Sequence, residues 1–169
     1  MKTKLLKPEQ NIILKPKENT QYILIPEGKV NVDLILENEG VDVELIVPYI
    51  LKDTESVTLK TLSKHIVPNT SCKVEIGCVL YDSSVSDYLG VINVEKNAQE
   101  TKSSLNDKAI VMGDSVKNSS QPILEIEAND VIVSHGANTG SIQADQLFYL
   151  MSRGFTEKEA EDLLIKAFL

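Results

Sequence analysis

VSHGANTGSIQADQLFYLMSRG, residues 133–154, is where this chain changes texture, and its reading divides the rest. The first half sets a lone histidine, His135, in a Gly-flanked turn, and the second half is amphipathic at helical spacing. Upstream, from about Gln21 to Val133, apolar residues alternate with polar ones over short runs, the period of half-buried strands. The runs are YILI (22–25), VNVDLIL (30–36), VDVELIV (41–47), VTLKTL (57–62), CKVEIGCVL (72–80), LGVINV (89–94), AIVM (109–112), ILEIE (123–127) and DVIV (130–133). Turn words such as Pro26-Glu27-Gly28, Asn38-Glu39-Gly40 and Pro68-Asn69-Thr70 separate them. No helix-length segment of period 3.6 interrupts the series, which excludes an α/β crossover fold and leaves a sandwich, a barrel or a coiled β-solenoid. No strict repeat chooses among the three.

Downstream of Gly140 the signals are helical. Ser141 is placed to cap a helix whose apolar positions are Ala144, Leu147, Phe148, Leu150 and Met151, and Gly154 supplies the stop. Thr156 and Glu159 then form a T-x-x-E capping box, with Phe155 and Ala160 as a staple across it. Ala160, Leu163, Leu164, Ala167 and Phe168 make one apolar stripe, opposite Glu157, Lys158, Glu161 and Lys166. Helices this short are marginal alone, so the stripes require something to pack on. The β-domain's open end, the sister helix and a partner protein are the three choices.

Composition narrows the function classes. With 169 residues the chain fits one domain with a small appendage and can bury a real core. A net charge of −8 argues against nucleic acid, whose recognition draws on clustered Lys and Arg. The apolar run Ile12-Ile13-Leu14 is far short of a signal-peptide core or a membrane span, which predicts a soluble cytoplasmic protein. There is no P-loop motif, no G-x-S-x-G and no H-E-x-x-H. Ser134 and His135 are strand neighbours that point to opposite faces, so they do not make a nucleophile–base pair.

The two cysteines share the core face of one strand. Cys72 and Cys78 are then about 20 Å apart, beyond the roughly 7 Å limit for a disulfide, and C-x5-C on a strand lacks the geometry of a metal knuckle. Both are expected to be buried thiols. His65, expected in the turn before that strand, reads as structural, and a metal-dependent enzyme would require His65, His135 and a cysteine to converge. A neutral imidazole such as His135 is a reasonable iron ligand, but a cluster usually takes about four ligands, mostly thiolates. Any site at His135 is therefore shared with another chain.

Ser134-His135-Gly136-Ala137, followed by DQLFYLMSRG (145–154) and the Thr-Glu-Lys-Glu-Ala-Glu helix, resembles the C-terminal region of the SufB and SufD proteins of iron–sulfur cluster assembly. The resemblance extends upstream through VDVELIV, the Pro68-Asn69-Thr70-Ser71 turn, Gly113-Asp114 and PILEIEANDV (122–131). It implies a mainly β fold, a right-handed parallel β-helix followed by a short C-terminal helical pair. Residues 1–20 are then an N-terminal cap or extension, 21–140 the β-helix core and 141–169 the C-terminal helices. The chain reads as a minimal version of the family, without the long N-terminal region and without the further helix that follows in relatives.

SufB-type members carry a scaffold cysteine after the Gly-Asp turn and a glutamate after the histidine. Here Val116 and Gly136 stand at those positions, so the resemblance favours a SufD-like chain that is not an enzyme. It implies that His135 serves as a metal-site residue at an interface shared with a SufB-like protein or a second copy in a homodimer. It implies, too, that a SufC-like ABC-type ATPase docks on the helices, with Leu147, Phe148, Leu150, Met151, Arg153, Leu163, Leu164 and Phe168 as the partner-binding residues. No cofactor is expected to be held stably by this chain alone; a transient iron–sulfur cluster belongs at the shared interface. The rival expectation is a stand-alone structural or interaction module that has lost cluster chemistry.

Overall fold

In the computed structural model, which describes residues 1–169, the alternating segments form eleven strands and the C-terminal segment two helices. The strands are β1 (Lys2–Leu6), β2 (Asn11–Leu14), β3 (Thr20–Leu24), β4 (Gly28–Leu36), β5 (Asp42–Leu51), β6 (Ser56–His65), β7 (Ser71–Leu80), β8 (Val85–Val94), β9 (Thr101–Val111), β10 (Lys117–Ile126) and β11 (Val131–Gly140). The helices are α1 (Ala144–Ser152) and α2 (Glu157–Phe168). Odd strands build one sheet in the order β1-β3-β5-β7-β9-β11, and even strands a second in the order β10-β8-β6-β4-β2. Every pairing is parallel. A chain that alternates between two parallel sheets and advances by one strand per pass is a β-solenoid, so the solenoid is the member of the three β architectures that forms.

Its core is the space between the sheets, filled by every second residue of each strand. Register stacks these residues into columns, one of which runs Lys4, Tyr22, Leu45, Val74, Leu105, His135. Beside it runs Lys2, Thr20, Val43, Cys72, Ser103, Val133. Leu24, Val30, Val32, Leu34, Leu45, Leu59, Ile92 and Leu105 are fully buried there, each contributing about 1.5–3 kcal/mol. The column spacing also shows why no repeat is visible in the sequence: Lys2 lies opposite Thr20, but Thr20 opposite Val43 and Val43 opposite Cys72. The first coils are short and the later ones settle at 29, 31 and 30 residues (Val43–Cys72, Cys72–Ser103, Ser103–Val133), so no single period runs through the chain.

The helix termini follow their signals, with one displaced start. Gln143 rather than Ser141 is the N-cap of α1, and its side chain makes no capping bond. Gly154 takes φ +99°, and the Phe155 and Gly154 amides donate to the Leu150 and Met151 carbonyls, a complete Schellman closure. At α2 the Thr156–Glu159 capping box forms in both directions.

Neither helix lies on the solenoid's open end. α2 rests on the outer face of the odd-strand sheet, where Gly77 is bare enough for Phe168 and Leu169 to come within 4.0 and 3.6 Å of the space a side chain would start to fill. Its buried residues are Ala160 and Ile165, with Leu164 and Phe168 half-buried; Leu163 and Ala167 of the expected stripe are exposed instead. α1 packs on α2 and has no buried residue.

His65 is the last residue of β6, not part of a turn, and is completely buried. Its Nδ1 lies 2.8 Å from Thr70 Oγ1 and its Nε2 3.1 Å from Ser103 Oγ, which satisfies both nitrogens of a neutral imidazole. Burial lowers its pKa to about 4. The folded state therefore resists protonation while the unfolded chain takes a proton near the ordinary value of about 6.5. Stability from this residue is intact above pH 6.5 and is lost as pH falls toward 4, by up to about 3 kcal/mol. Urea unfolding between pH 7 and 4.5 is expected to show that decline, and His65→Gln to flatten it while lowering stability at pH 7 by about 1–2 kcal/mol.

Candidate functional site

His135 is built into the last coil, inside strand β11 rather than in a turn. It pairs with Leu105, and since Leu105 is fully buried the shared parity directs His135 toward the space between the sheets. Val131, Val133, Ala137 and Thr139 have the same parity, while Ser134 and Gly136 face outward. No strand follows β11 in its sheet, so these inner side chains have no coil above them. Val131 and Val133 are half-buried against the core and His135 is exposed. Residues 131–140 carry no Lys, Arg, Asp or Glu, so β11 is a ten-residue edge without the charges that usually block strand addition.

The other expected ligands do not join it. His65 belongs to the even-strand sheet and is spent on Thr70 and Ser103. Cys72 and Cys78 are free, buried thiols in β7, and burial pushes both up to about 12, which keeps them protonated at neutral pH. Cys72 Sγ donates to Ser63 Oγ at 3.4 Å. No three His, Cys, Asp or Glu side chains of the chain converge as a metal site, so His65, His135 and a cysteine do not come together as a metal-dependent enzyme would require. Val116 is half-buried against the core. Gly136 borders Asn106, whose Oδ1 is 3.3 Å from where a β-carbon would stand, so a larger residue there requires Asn106 to shift.

One group at this end escaped the sequence reading. Asp107, 3 % exposed, is the only buried acidic residue, and its Oδ1 has no hydrogen-bond partner. It sits below Ala137, one coil inside His135. Burial raises its pKa, an effect tempered by the Ser120 hydroxyl. Cys78 and the Tyr49–Ser86 hydroxyl pair, 2.8 Å apart, border the same region. The signal available in sequence was a carboxylate at an inner-face position of TKSSLNDKA, hidden because that strand was recognised only from Ala109 onward.

The second candidate surface is on the helices. Phe148 is 75 % exposed, and Tyr149, Met151, Phe155 and Leu163 are also exposed. Leu147 and Leu150 are half-buried, and the Arg153 guanidinium lies over the Tyr149 ring at 5.1 Å. Tyr149 and Phe155 were not among the residues expected to bind a partner. Leu164 and Phe168 are turned toward the solenoid and are the least available of those that were.

A parallel β-solenoid with an uncovered last coil and a helix pair seated on one sheet defines the structural class. The family described as SUF system FeS cluster assembly, SufBD core domain, matches residues 28–168, and the chain belongs to it. An iron–sulfur cluster assembly SufBD family protein of Mycobacterium tuberculosis is 32 % identical over 105 residues, 62 % of this chain and 12 % of that protein. The iron–sulfur cluster assembly protein SufD of Escherichia coli is 37 % identical over 90 residues, 53 % of this chain and 21 % of the relative. SufB of Bacillus subtilis is 27 % identical over 105 residues, 62 % of this chain and 23 % of the relative. The chain thus spans between about an eighth and a quarter of these proteins. No helix is long and apolar enough to cross a membrane.

The burial of Asp107 has a measurable sign. Its folded pKa lies above the unfolded value of about 3.8, so it stabilises least where the unfolded carboxylate is ionised, and its cost grows as pH rises through that range. Asp107→Asn is expected to raise stability at pH 8 by about 1 kcal/mol or more and to leave it nearly unchanged at pH 3.5, read as urea midpoints at both pH values.

Proposed function

We propose that this chain is a non-catalytic, SufD-like component of an iron–sulfur cluster assembly scaffold in the cytoplasm. Its last coil meets a SufB-like protein or a second copy of itself, and His135 offers one imidazole to cluster cargo held jointly with that partner. The helix pair docks a SufC-like ABC-type ATPase through Phe148 and Met151, with Leu147, Leu150, Arg153 and Leu163 around them. The observation that carries the reading is His135 on the inner side of an uncovered, charge-free edge strand, outside any group of three metal-ligating side chains from its own chain. Identities of 37 and 34 % to two SufD proteins, against 27 % to a SufB, support the SufD-like half. So do Val116 and Gly136, neither of which offers a thiolate or a carboxylate.

The same two residues favour a second reading, an interaction module without cluster chemistry. Co-expression with a SufC-like ATPase and a SufB-like protein, followed by anaerobic iron and sulfide reconstitution, separates them. Phe148→Asp and Met151→Asp are expected to weaken ATPase co-purification about tenfold or more with unchanged thermal unfolding, because both side chains are exposed. His135→Ala is expected to keep the assembly and lose most of the retained iron. A folded parent chain that captures no ATPase sinks the docking role, and iron retention indifferent to His135 favours the module.

A further inference from the structure

The helix pair is well made internally and poorly anchored externally. Its ends are closed by the Schellman turn at Gly154 and the capping box at Thr156, yet of its residues only Ala160 and Ile165 are buried. A groove of about 390 Å³ remains between the C-terminal half of α2 and the sheet, bounded by Ile110, Asn138, Gln143, Leu164 and Phe168. The firm contact is at Gly77, an outward position of β7, where the missing side chain admits Phe168 and Leu169. The link to the solenoid is Ser141-Ile142-Gln143, outside any element, entering a helix whose N-cap lacks a side-chain bond. The core between the sheets is separate: none of its 26 residues lies in either helix.

Ala160 and Ile165 on the helix side and Val79, fully buried on the outward face of β7 and outside the inner core, hold the pair closed, a much smaller burial than that of the inner columns, so the two have very different opening free energies. We infer that α1 and α2 open from the sheet as one unit, hinged at residues 141–143 and released at the Gly77 seat, while the solenoid stays folded. This goes beyond the docking reading and does not depend on it.

Hydrogen exchange by segment, in the parent and two Gly77 variants, tests it. In the parent, amides of α1 and α2 are expected to exchange at least about tenfold faster than those of β7. Gly77→Ala puts its β-carbon in ordinary contact, 3.6 Å from Leu169, and is expected to leave the ratio unchanged. Gly77→Leu fills the seat without entering the core and is expected to speed exchange in both helices by a common factor of about ten or more, with β7 unaffected. Helices as slow as β7 in the parent, a Gly77→Leu variant without effect, one helix accelerated alone, or β7 accelerated with them would each overturn the inference.

Discussion

In-register stacking of inner side chains is the constraint on which this molecule depends. Each parallel pairing carries the inward parity of one strand to the next, so a residue's cover is always the residue one coil away. Tyr22, Leu45, Val74 and Leu105 are dry because each has a neighbour on both sides of its column. His135 continues the column and has a neighbour on one side only. Its exposure is therefore a consequence of position, not of its own polarity: Val131 and Val133, apolar and on the same strand, are also only half-buried.

The columns change character toward that end. Leu24, Val30, Leu34 and Val43 fill the early coils, whereas Cys78, Ser86, Asp107 and Ser120 cluster toward the late ones. Some hydroxyls in this interior find partners, as in Tyr49–Ser86 and Thr61–Tyr88, both at 2.8 Å, whereas those of Ser84 and Ser120 do not. Asp107 does not fully, and a buried carboxylate with a free oxygen destabilises the fold that contains it. The late coils thus hold the least apolar part of the buried interior and border β11, an edge strand of its sheet. Stability is concentrated in the early and middle coils, and the surface available to a partner lies at the other end.

Legibility in sequence followed the same gradient. The middle strands, such as VNVDLIL and VDVELIV, place Val and Leu at every inner position and are readable by alternation alone. β1 and β2 were missed because they are short and because Lys2 and Lys4 occupy inner positions of β1, Lys2 paired with Glu18 at 2.7 Å and Lys4 lying 5.9 Å over the Tyr22 ring. Most of β9 was missed because its inner residues are Thr101, Ser103, Leu105 and Asp107, a pattern indistinguishable from a polar loop. SHGANTG has the composition of a turn, and only the ladder from β9 keeps the end of β11 extended. The face of a helix that goes down is likewise a tertiary fact: Thr156 and Gly154 announce where the helices start and stop, but only the fold shows that Ile165 is buried, that Phe168 and Leu169 reach the bare Gly77, and that Leu163 stays exposed.

His135 and the helix pair meet in one element. β11 carries the histidine, ends at Gly140, and leads within three residues into α1. As the edge of its sheet, β11 is held by a single ladder, to β9, whereas β5, β7 and β9 each have two. Any displacement of the helix pair is therefore delivered first to a strand held on one side only, whose inner side chains have no further coil above them. The helix pair is thus joined to the strand that carries His135 rather than to a strand of the sheet's interior. The sparsely buried helix pair and the incompletely buried last coil are therefore neighbours in the chain, separated by Ser141, Ile142 and Gln143 alone.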